Sequence, residues 1–139
     1  MVVGLGTGTT AYFVIEELAR RIREDGLQVT GVPTSNETAR LARDVGIPLV
    51  DLAAVPDVDI DGADEVDRGH NLTKGAGGAM TREKIVAAAS KRLVIVVDES
   101  KLVRRLAWPV PIEVLPFAEA YVRRELRARF PGCSPATSE

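Results

Sequence analysis

The sequence predicts an α/β domain built on a doubly wound, mostly parallel β-sheet. Short apolar runs alternate with segments that carry apolar residues at helical spacing, beginning with Val2–Leu5 and the segment that follows it. Such alternation of strands and helices favours a parallel sheet. The run 93–97 is apolar without alternation, which is expected of a strand covered by helices on both faces.

Composition excludes several classes of protein. The chain has 139 residues, enough for one domain with a hydrophobic core, and a hydrophobic share of 45%. Its net charge of -2 gives no general attraction to nucleic acid or to an anionic membrane. We expect a reduced, cytoplasmic protein for three reasons. The chain has one cysteine, Cys133, it has no basic leader, and it has no long apolar run.

A glycine-rich turn follows the first predicted strand. Residues 6–10 read Gly-Thr-Gly-Thr-Thr and precede a helix with apolar residues at helical spacing. Backbone N–H groups and the dipole at a helix N-terminus favour an anion, so we expect a phosphate here. A tight turn that binds no ligand remains an open alternative.

A dinucleotide fingerprint is the competing interpretation of this turn. Thr9 stands at the position of the third glycine, and the predicted second strand, residues 28–32, ends in Pro-Thr-Ser. That end lacks the acid that would bind a ribose hydroxyl group. We therefore favour a phosphate monoester over a dinucleotide.

The remaining predicted elements continue the alternation. Thr34 and Glu37 have the spacing of a capping box and predict a second helix that Gly46 closes. Residues 48–50 and 58–60 are the predicted third and fourth strands. Residues 82–90 are a predicted helix whose buried side consists of Ile85, Val86 and Ala89.

The pattern changes after residue 108, where we place the end of the catalytic domain. Residues 109–130 form a connecting segment in which prolines precede an arginine-rich helix over residues 117–130. The apolar side of that helix consists of Phe117, Tyr121, Val122 and Leu126. Residues 131–139 are small, polar and rich in helix breakers, so we expect a disordered tail.

Charged residues gather in the loops at the carboxyl ends of the predicted strands. They are Asp61, Asp64, Lys74, Glu83 and Lys101. Parallel strands place these loops at one edge of the sheet. We expect no metal site, because the lysines compete for the carboxylates and His70 is the one histidine. A nucleophilic triad would also lack its base, because His70 is the one histidine and no serine or cysteine motif lies near it.

Acid/base chemistry on an anionic substrate fits these residues better. A carboxylate can remove a proton next to a carbonyl group while a lysine stabilises the oxygen that becomes an enediolate. Glu83, behind a glycine loop and near a helix N-terminus, is the candidate base. Each acid taken alone is better explained as a surface carboxylate or as an acid at a helix start, so only the cluster supports the hypothesis.

Five motifs closely resemble those of type A ribose-5-phosphate isomerases, in the same order and spacing. They are GLGTGTTA at 4–11, DGADEVD at 61–67, KGAGG at 74–78, TREKIV at 81–86 and VDESK at 97–101. The resemblance implies a Rossmann-like sheet. It also implies interconversion of D-ribose 5-phosphate and D-ribulose 5-phosphate in the pentose phosphate pathway, without metal or cofactor.

The resemblance further implies a role for each matching residue. Glu83 would move the proton between C1 and C2, Asp61 and Asp64 would hold the open-chain sugar and assist ring opening, and Lys74 would stabilise the enediolate. Thr7–Thr10 and Lys101 would bind the phosphate end. The implied substrate contacts are Thr7, Gly8, Thr9, Thr10, Asp61, Gly62, Ala63, Asp64, Lys74, Gly75, Ala76, Gly77 and Lys101. Ala76 stands where many relatives have glycine.

The chain departs from the family pattern at its ends. Family members have a helix before the first strand and a smaller α+β domain after the region 108–130, so we expect a truncated chain. The full-length family is expected to form homodimers or homotetramers, with a sugar phosphate as ligand. The alternatives are an inactive fragment, a non-catalytic sugar-phosphate-binding module, or a related deaminase or coenzyme A transferase.

Overall fold

The computed structural model describes residues 1–137. The strands are β1 (Val2–Leu5), β2 (Thr30–Pro33), β3 (Val58–Asp61), β4 (Glu65–Val66), β5 (Leu72–Thr73) and β6 (Leu93–Ile95). The helices are α1 (Thr9–Asp25), α2 (Asn36–Asp44), α3 (Met80–Ala89) and α4 (Glu119–Arg129). Short 3-10 turns cover Glu99–Lys101 and Pro116–Ala118.

The sheet confirms the predicted fold class. Across the described residues its strands are parallel and lie in the order β2-β1-β3-β6, while β4 and β5 form a separate antiparallel hairpin. Leu49 lies beside Gly31 of β2, held by Gly31 N donating to Pro48 O and Val50 N donating to Gly31 O. The predicted third strand is therefore a single bridge at the outer side of β2.

The two faces of the sheet have different roles. Val3 and Leu5 of β1 pack with Ile15 of α1 and Ala42 of α2, so both helices cover one face and form the hydrophobic core. Side chains alternate along a strand. Asp59 and Asp61 of β3 therefore lie on the opposite face, on the side from which α3 brings Glu83.

The start of α2 differs from the predicted capping box. Ser35, not Thr34, is the N-cap, and its Oγ accepts from Thr38 N at 3.0 Å. Thr34 is fully buried at the end of β2, where its Oγ1 donates to Leu5 O at 2.9 Å. Because the Thr34 hydroxyl is engaged by the neighbouring strand, the next residue caps the helix.

Two burial predictions are wrong. Leu93 and Val94 of β6 are exposed, because β6 is the edge strand of the sheet and is not covered on both faces. On α3, Val86 is buried as predicted and Ala89 is half-buried, but Ile85 is exposed. Glu83 takes its place on the buried side of the helix.

The segment after β6 is extended and mostly exposed. Residues 106–115 form no regular helix or strand, and α4 buries no residue completely within the described chain. Phe117 and Tyr121 are exposed while Val122 and Leu126 are half-buried, so the predicted apolar side of this helix is only partly covered. Arg123 donates to Pro135 O at 2.6 Å, which holds residues near 135 against α4. Residues 138 and 139 of the predicted tail lie outside the described residues.

Glu65 connects this segment to the β4–β5 hairpin. Its Oε2 accepts from Ala107 N and from Trp108 N, both at 2.9 Å, and lies 3.4 Å from Thr73 Oγ1. The hydrogen bond from Trp108 N–H lowers the pKa of Glu65 below its ordinary value, and the bond from Ala107 N–H lowers it further. Burial opposes this effect, because it raises the pKa. One carboxylate thus fixes residues 107 and 108 to the hairpin.

Within residues 1–137 we find no helix that is both long and apolar enough to cross a membrane.

Gly4 of β1 and Gly6, which directly follows β1, leave the space that the aspartates of β3 occupy. A Cβ at Gly4 would lie 2.9 Å from Asp59 Cβ, and a Cβ at Gly6 would lie 2.6 Å from Asp61 Cα. Side chains rarely approach the backbone this closely. Both glycines are therefore required by the acids beside them.

Gly6→Ala should destabilise the fold, because the added methyl group meets the backbone of β3 and cannot be relieved by a side-chain rotation. We expect a loss of about 1–3 kcal/mol in the free energy of unfolding measured with urea. Gly77→Ala is the matched control, since a Cβ there meets no atom within 4 Å. Equal losses in the two variants would contradict this account.

Candidate active site

The candidate site lies at the carboxyl ends of β1 and β3. Thr7 follows β1, and its backbone N–H donates to Asp61 Oδ1 at 3.3 Å. Gly62 N donates to the same oxygen at 2.8 Å, so two backbone groups fix the Asp61 side chain. The predicted meeting of these two loops is confirmed.

A buried lysine lies at the centre of the site. Lys74 Nζ is 2.8 Å from Asp61 Oδ2, 3.1 Å from Glu83 Oε2 and 2.7 Å from Gly62 O. The Asp61 contact is a close ion pair. The side chains of Lys74, Asp61 and Glu83 are 20%, 1% and 8% exposed. Three residues that are far apart in the sequence therefore form one compact group.

The β4–β5 hairpin delivers Lys74 to this position. Asp64 N donates to Thr73 O at 2.8 Å, which aligns the start of the hairpin with its end. Lys74 directly follows Thr73. Since Glu65 and Thr73 are paired across the hairpin, the register of these two short strands sets where the lysine emerges.

Asp64 does not pair with Lys74; it orients the glycine loop instead. Its Oδ2 accepts from Ala76 N at 3.1 Å. Gly75 has φ 110° and Gly78 has φ 75°, a backbone region that favours glycine. Gly78 N donates to Gly75 O at 3.0 Å, so the loop is a closed turn that ends at α3. The alanine at position 76 is compatible with this turn.

Burial and charge set the proton affinities in the group. Burial raises the pKa of Glu83, and the Asp61 charge raises it further, while Lys74 lowers it. Burial lowers the pKa of Lys74, but Asp61 and Glu83 outweigh this and the pKa is raised overall. Lys74 therefore stays charged, and Glu83 binds a proton more readily than an exposed glutamate does.

A third buried acid lies behind this group. Asp59 is 0% exposed, and burial raises its pKa to about 6, with the Asp61 charge adding to the effect. The sequence analysis assigned no role to Asp59. The signal was nevertheless present, because Asp59 and Asp61 are two residues apart on a strand and so lie on the same face.

The turn after β1 is suited to an anion. Gly8 has φ 102° and precedes α1, and the first helical hydrogen bond is donated by Tyr12 N to Gly8 O at 3.1 Å. The N–H groups before Tyr12 therefore have no helical acceptor. Thr9 is exposed and Thr10 is half-buried at this helix start.

The Thr7 side chain is turned away from that helix start. Its Oγ1 lies 2.8 Å from Thr34 Oγ1 and 3.2 Å from Thr38 Oγ1. Thr38 Oγ1 also donates to Gly6 O at 2.9 Å. These hydroxyl groups fix the glycine turn against α2, a role that the sequence analysis did not predict for Thr34 and Thr38.

A cavity of about 290 Å³ adjoins the site between the glycine loop and the start of α2. Among the residues that line it are Thr7, Ser35, Gly77, Thr81 and Arg82. Arg82 donates to Asn36 Oδ1 at 3.0 Å, which joins α3 to α2 across this cavity. Sequence reasoning had not assigned Ser35, Asn36 or Arg82 to the site.

Lys101 is a predicted site residue that the structure does not connect to the others. It ends the 3-10 turn Glu99–Lys101, which Asp98 caps by accepting from Ser100 N at 2.8 Å. In residues 1–137 its ammonium group makes no ion pair or hydrogen bond. Its contact with a phosphate remains a prediction.

Comparison with known proteins gives a consistent result. A sequence profile of the family ribose 5-phosphate isomerase A (phosphoriboisomerase A) matches residues 30–137. The ribose-5-phosphate isomerase A of Archaeoglobus fulgidus is 50% identical over 140 residues, which cover 100% of this chain and 61% of the relative.

Solved structures show the same similarity. The ribose 5-phosphate isomerase A of Methanocaldococcus jannaschii has a TM-score of 0.88 and 48% identity over 93% of this chain and 59% of that one. A D-ribose-5-phosphate isomerase in complex with phospho-erythronic acid has a TM-score of 0.86 and 42% identity, over 92% of this chain and 58% of that one. The chain thus spans about three fifths of the length of these relatives. It belongs to the ribose 5-phosphate isomerase A family.

Proposed function

We propose that this chain carries the catalytic site of an isomerase that interconverts D-ribose 5-phosphate and D-ribulose 5-phosphate. The observation that carries the proposal is the buried Lys74 ammonium held between Asp61 and Glu83 at the carboxyl ends of parallel strands. The solved relative bound to phospho-erythronic acid, a phosphorylated sugar acid, supports a sugar phosphate as the ligand.

Glu83 is the base in this proposal. Its carboxylate removes the proton from C2 of the open-chain aldose, the C–H electron pair forms the C1–C2 double bond, and the carbonyl electrons move to O1. Return of the proton to C1, with transfer of a proton from O2 to O1, gives the ketose. The raised pKa of Glu83 suits this work, because a base of higher proton affinity accepts a carbon-bound proton more readily.

Lys74 and the two aspartates assist this transfer. The Lys74 ammonium lies 3.1 Å from the base, so the negative charge that develops on the substrate oxygen would be close to a buried cation. Asp61 holds the ammonium in place. Asp64 shapes the glycine loop through Ala76 N and would reach the sugar hydroxyl groups from there.

The phosphate end is assigned to the start of α1. The N–H groups that precede Tyr12 lack helical acceptors and lie next to Gly8, where a Cβ would meet no atom of residues 1–137 within 4 Å. Thr7 supports this turn through Thr34 and Thr38. Lys101 is proposed to add a cation at the same end of the substrate.

Glu83→Gln should abolish most of the turnover, because glutamine keeps the shape of the side chain but cannot accept the proton. We expect kcat/KM for D-ribose 5-phosphate to fall by about 10²- to 10⁴-fold, measured as ketose formed in the presence of a chelator. Glu24→Gln is the matched control, since Glu24 is an exposed acid on α1 that pairs with Arg20.

Two other outcomes would reject parts of this assignment. Undiminished turnover in Glu83→Gln would mean that another group is the base. Binding of the sugar phosphate in calorimetry without turnover in the parent chain would support a binding module instead of an isomerase.

Lys74→Met should lower kcat/KM by about 10²- to 10³-fold, because the developing oxyanion loses its cation. The acid limb of the pH profile should also move to higher pH, since Lys74 lowers the pKa of Glu83. Lys84→Met, which changes an exposed lysine on α3, is the control. An acid limb that does not move in Lys74→Met would show that the lysine does not act on the base. The substrate phosphate ionises in the same way with every variant, so it cannot cause a difference between their acid limbs.

A further inference from the structure

Asp59 is a buried acid without a hydrogen-bonding partner. It is 0% exposed, and no donor within residues 1–137 reaches either of its carboxylate oxygens. Gly4 of β1 lies directly opposite Asp59 and leaves the space for its side chain. An ionised carboxylate in such a position is unfavourable, because neither water nor a donor stabilises it.

The charges around Asp59 are those of the candidate site. Asp61 lies on the same strand, Lys74 comes from the segment after β5, and Glu83 comes from α3; each of these acts on the Asp59 charge. The neighbours of Asp59 on the adjacent strands, Gly4 and Leu93, carry no charge. The charges that act on Asp59 are therefore those of Asp61, of the proposed base and of its lysine.

We propose that Asp59 is a positioning residue whose ionised carboxylate increases the basicity of Glu83 from behind the Lys74 group. This inference rests on the proposed function. Asp59 touches no substrate; it acts through the negative potential that it adds at Asp61, Lys74 and Glu83. A negative potential favours the protonated form of Glu83, so a proton taken from the substrate is held more firmly.

The effect should depend on pH in a defined direction. Burial raises the pKa of Asp59 to about 6, so Asp59 is neutral well below that pH and charged well above it. Its contribution to the basicity of Glu83 is thus absent in acid and present at neutral pH. The same ionisation costs stability, because the folded state holds the Asp59 proton more tightly than the unfolded state does.

The first test is the pH dependence of the Asp59→Asn variant. We expect kcat/KM to equal that of the parent chain below about pH 5 and to be lower by about 3- to 10-fold above pH 7. The ratio of the two chains cancels the ionisation of the substrate phosphate. A ratio that is the same at every pH would indicate a merely structural role and would overturn the proposal.

The second test needs no activity, so it separates this proposal from the isomerase assignment. The urea midpoint of Asp59→Asn, relative to the parent chain, should rise as the pH increases from about 4 to about 6 and level off above that pH, since the variant has no charge to bury. Asp59→Leu, of similar size, should show the same trend if the amide folds poorly. Asp57→Asn is the matched control: Asp57 pairs with Lys91 at 2.6 Å, and its pKa is lowered, so no such rise is expected.

The third test measures the coupling directly by NMR of ¹³C-labelled carboxyl groups. In the parent chain the Glu83 signal should show a second inflection at the pH where Asp59 ionises, and Asp59→Asn should remove it. An Asp59 signal that titrates in the ordinary aspartate range, or a Glu83 curve unchanged in the variant, would overturn the proposal even if the chain is inactive.

Discussion

The ion pairs of Lys74 hold the site together. The face of the sheet opposite the hydrophobic core carries Asp59 and Asp61 on β3, and α3 adds Glu83 beside them. Buried carboxylates repel one another and lose their hydration, so such a group needs a cation. The Lys74 ammonium provides it from a two-stranded hairpin that contributes little to the sheet itself. The hairpin thus supplies the positive charge that compensates the buried carboxylates of β3.

The sequence predicted the order of the elements because their signals are local. A glycine turn after an apolar strand, or apolar residues at helical spacing, reports on neighbouring residues, and β1, α1, α2 and α3 were found near their predicted positions. Predictions that depended on distant partners were less successful. Thr34 does not cap α2 because its hydroxyl binds Leu5 O. The exposure of Leu93 was not predicted because nothing in the local sequence specifies that β6 is an edge strand.

The same distinction explains what was predicted of the site. Asp61, Lys74 and Glu83 were expected to meet because parallel strands bring their following loops to one edge, and the ion pairs show that they do. The threonine hydroxyl contacts were not predicted, since they join residues about 30 positions apart through side-chain rotamers that no periodicity encodes. Asp59 could have been found from strand alternation alone.

Glu65 gives the site a mechanical connection to the rest of the chain. Its carboxylate holds the backbone of Ala107 and Trp108, and it is paired with Thr73, which precedes Lys74. The residues beyond 108 present exposed apolar side chains such as Phe117. Residues 107 and 108 are therefore linked to Lys74 through the Glu65 side chain, the pairing of Glu65 with Thr73 and the Thr73–Lys74 peptide bond. Packing of another segment on that surface would thus affect the position of the Lys74 ammonium group, and the position of the ammonium group would affect that packing.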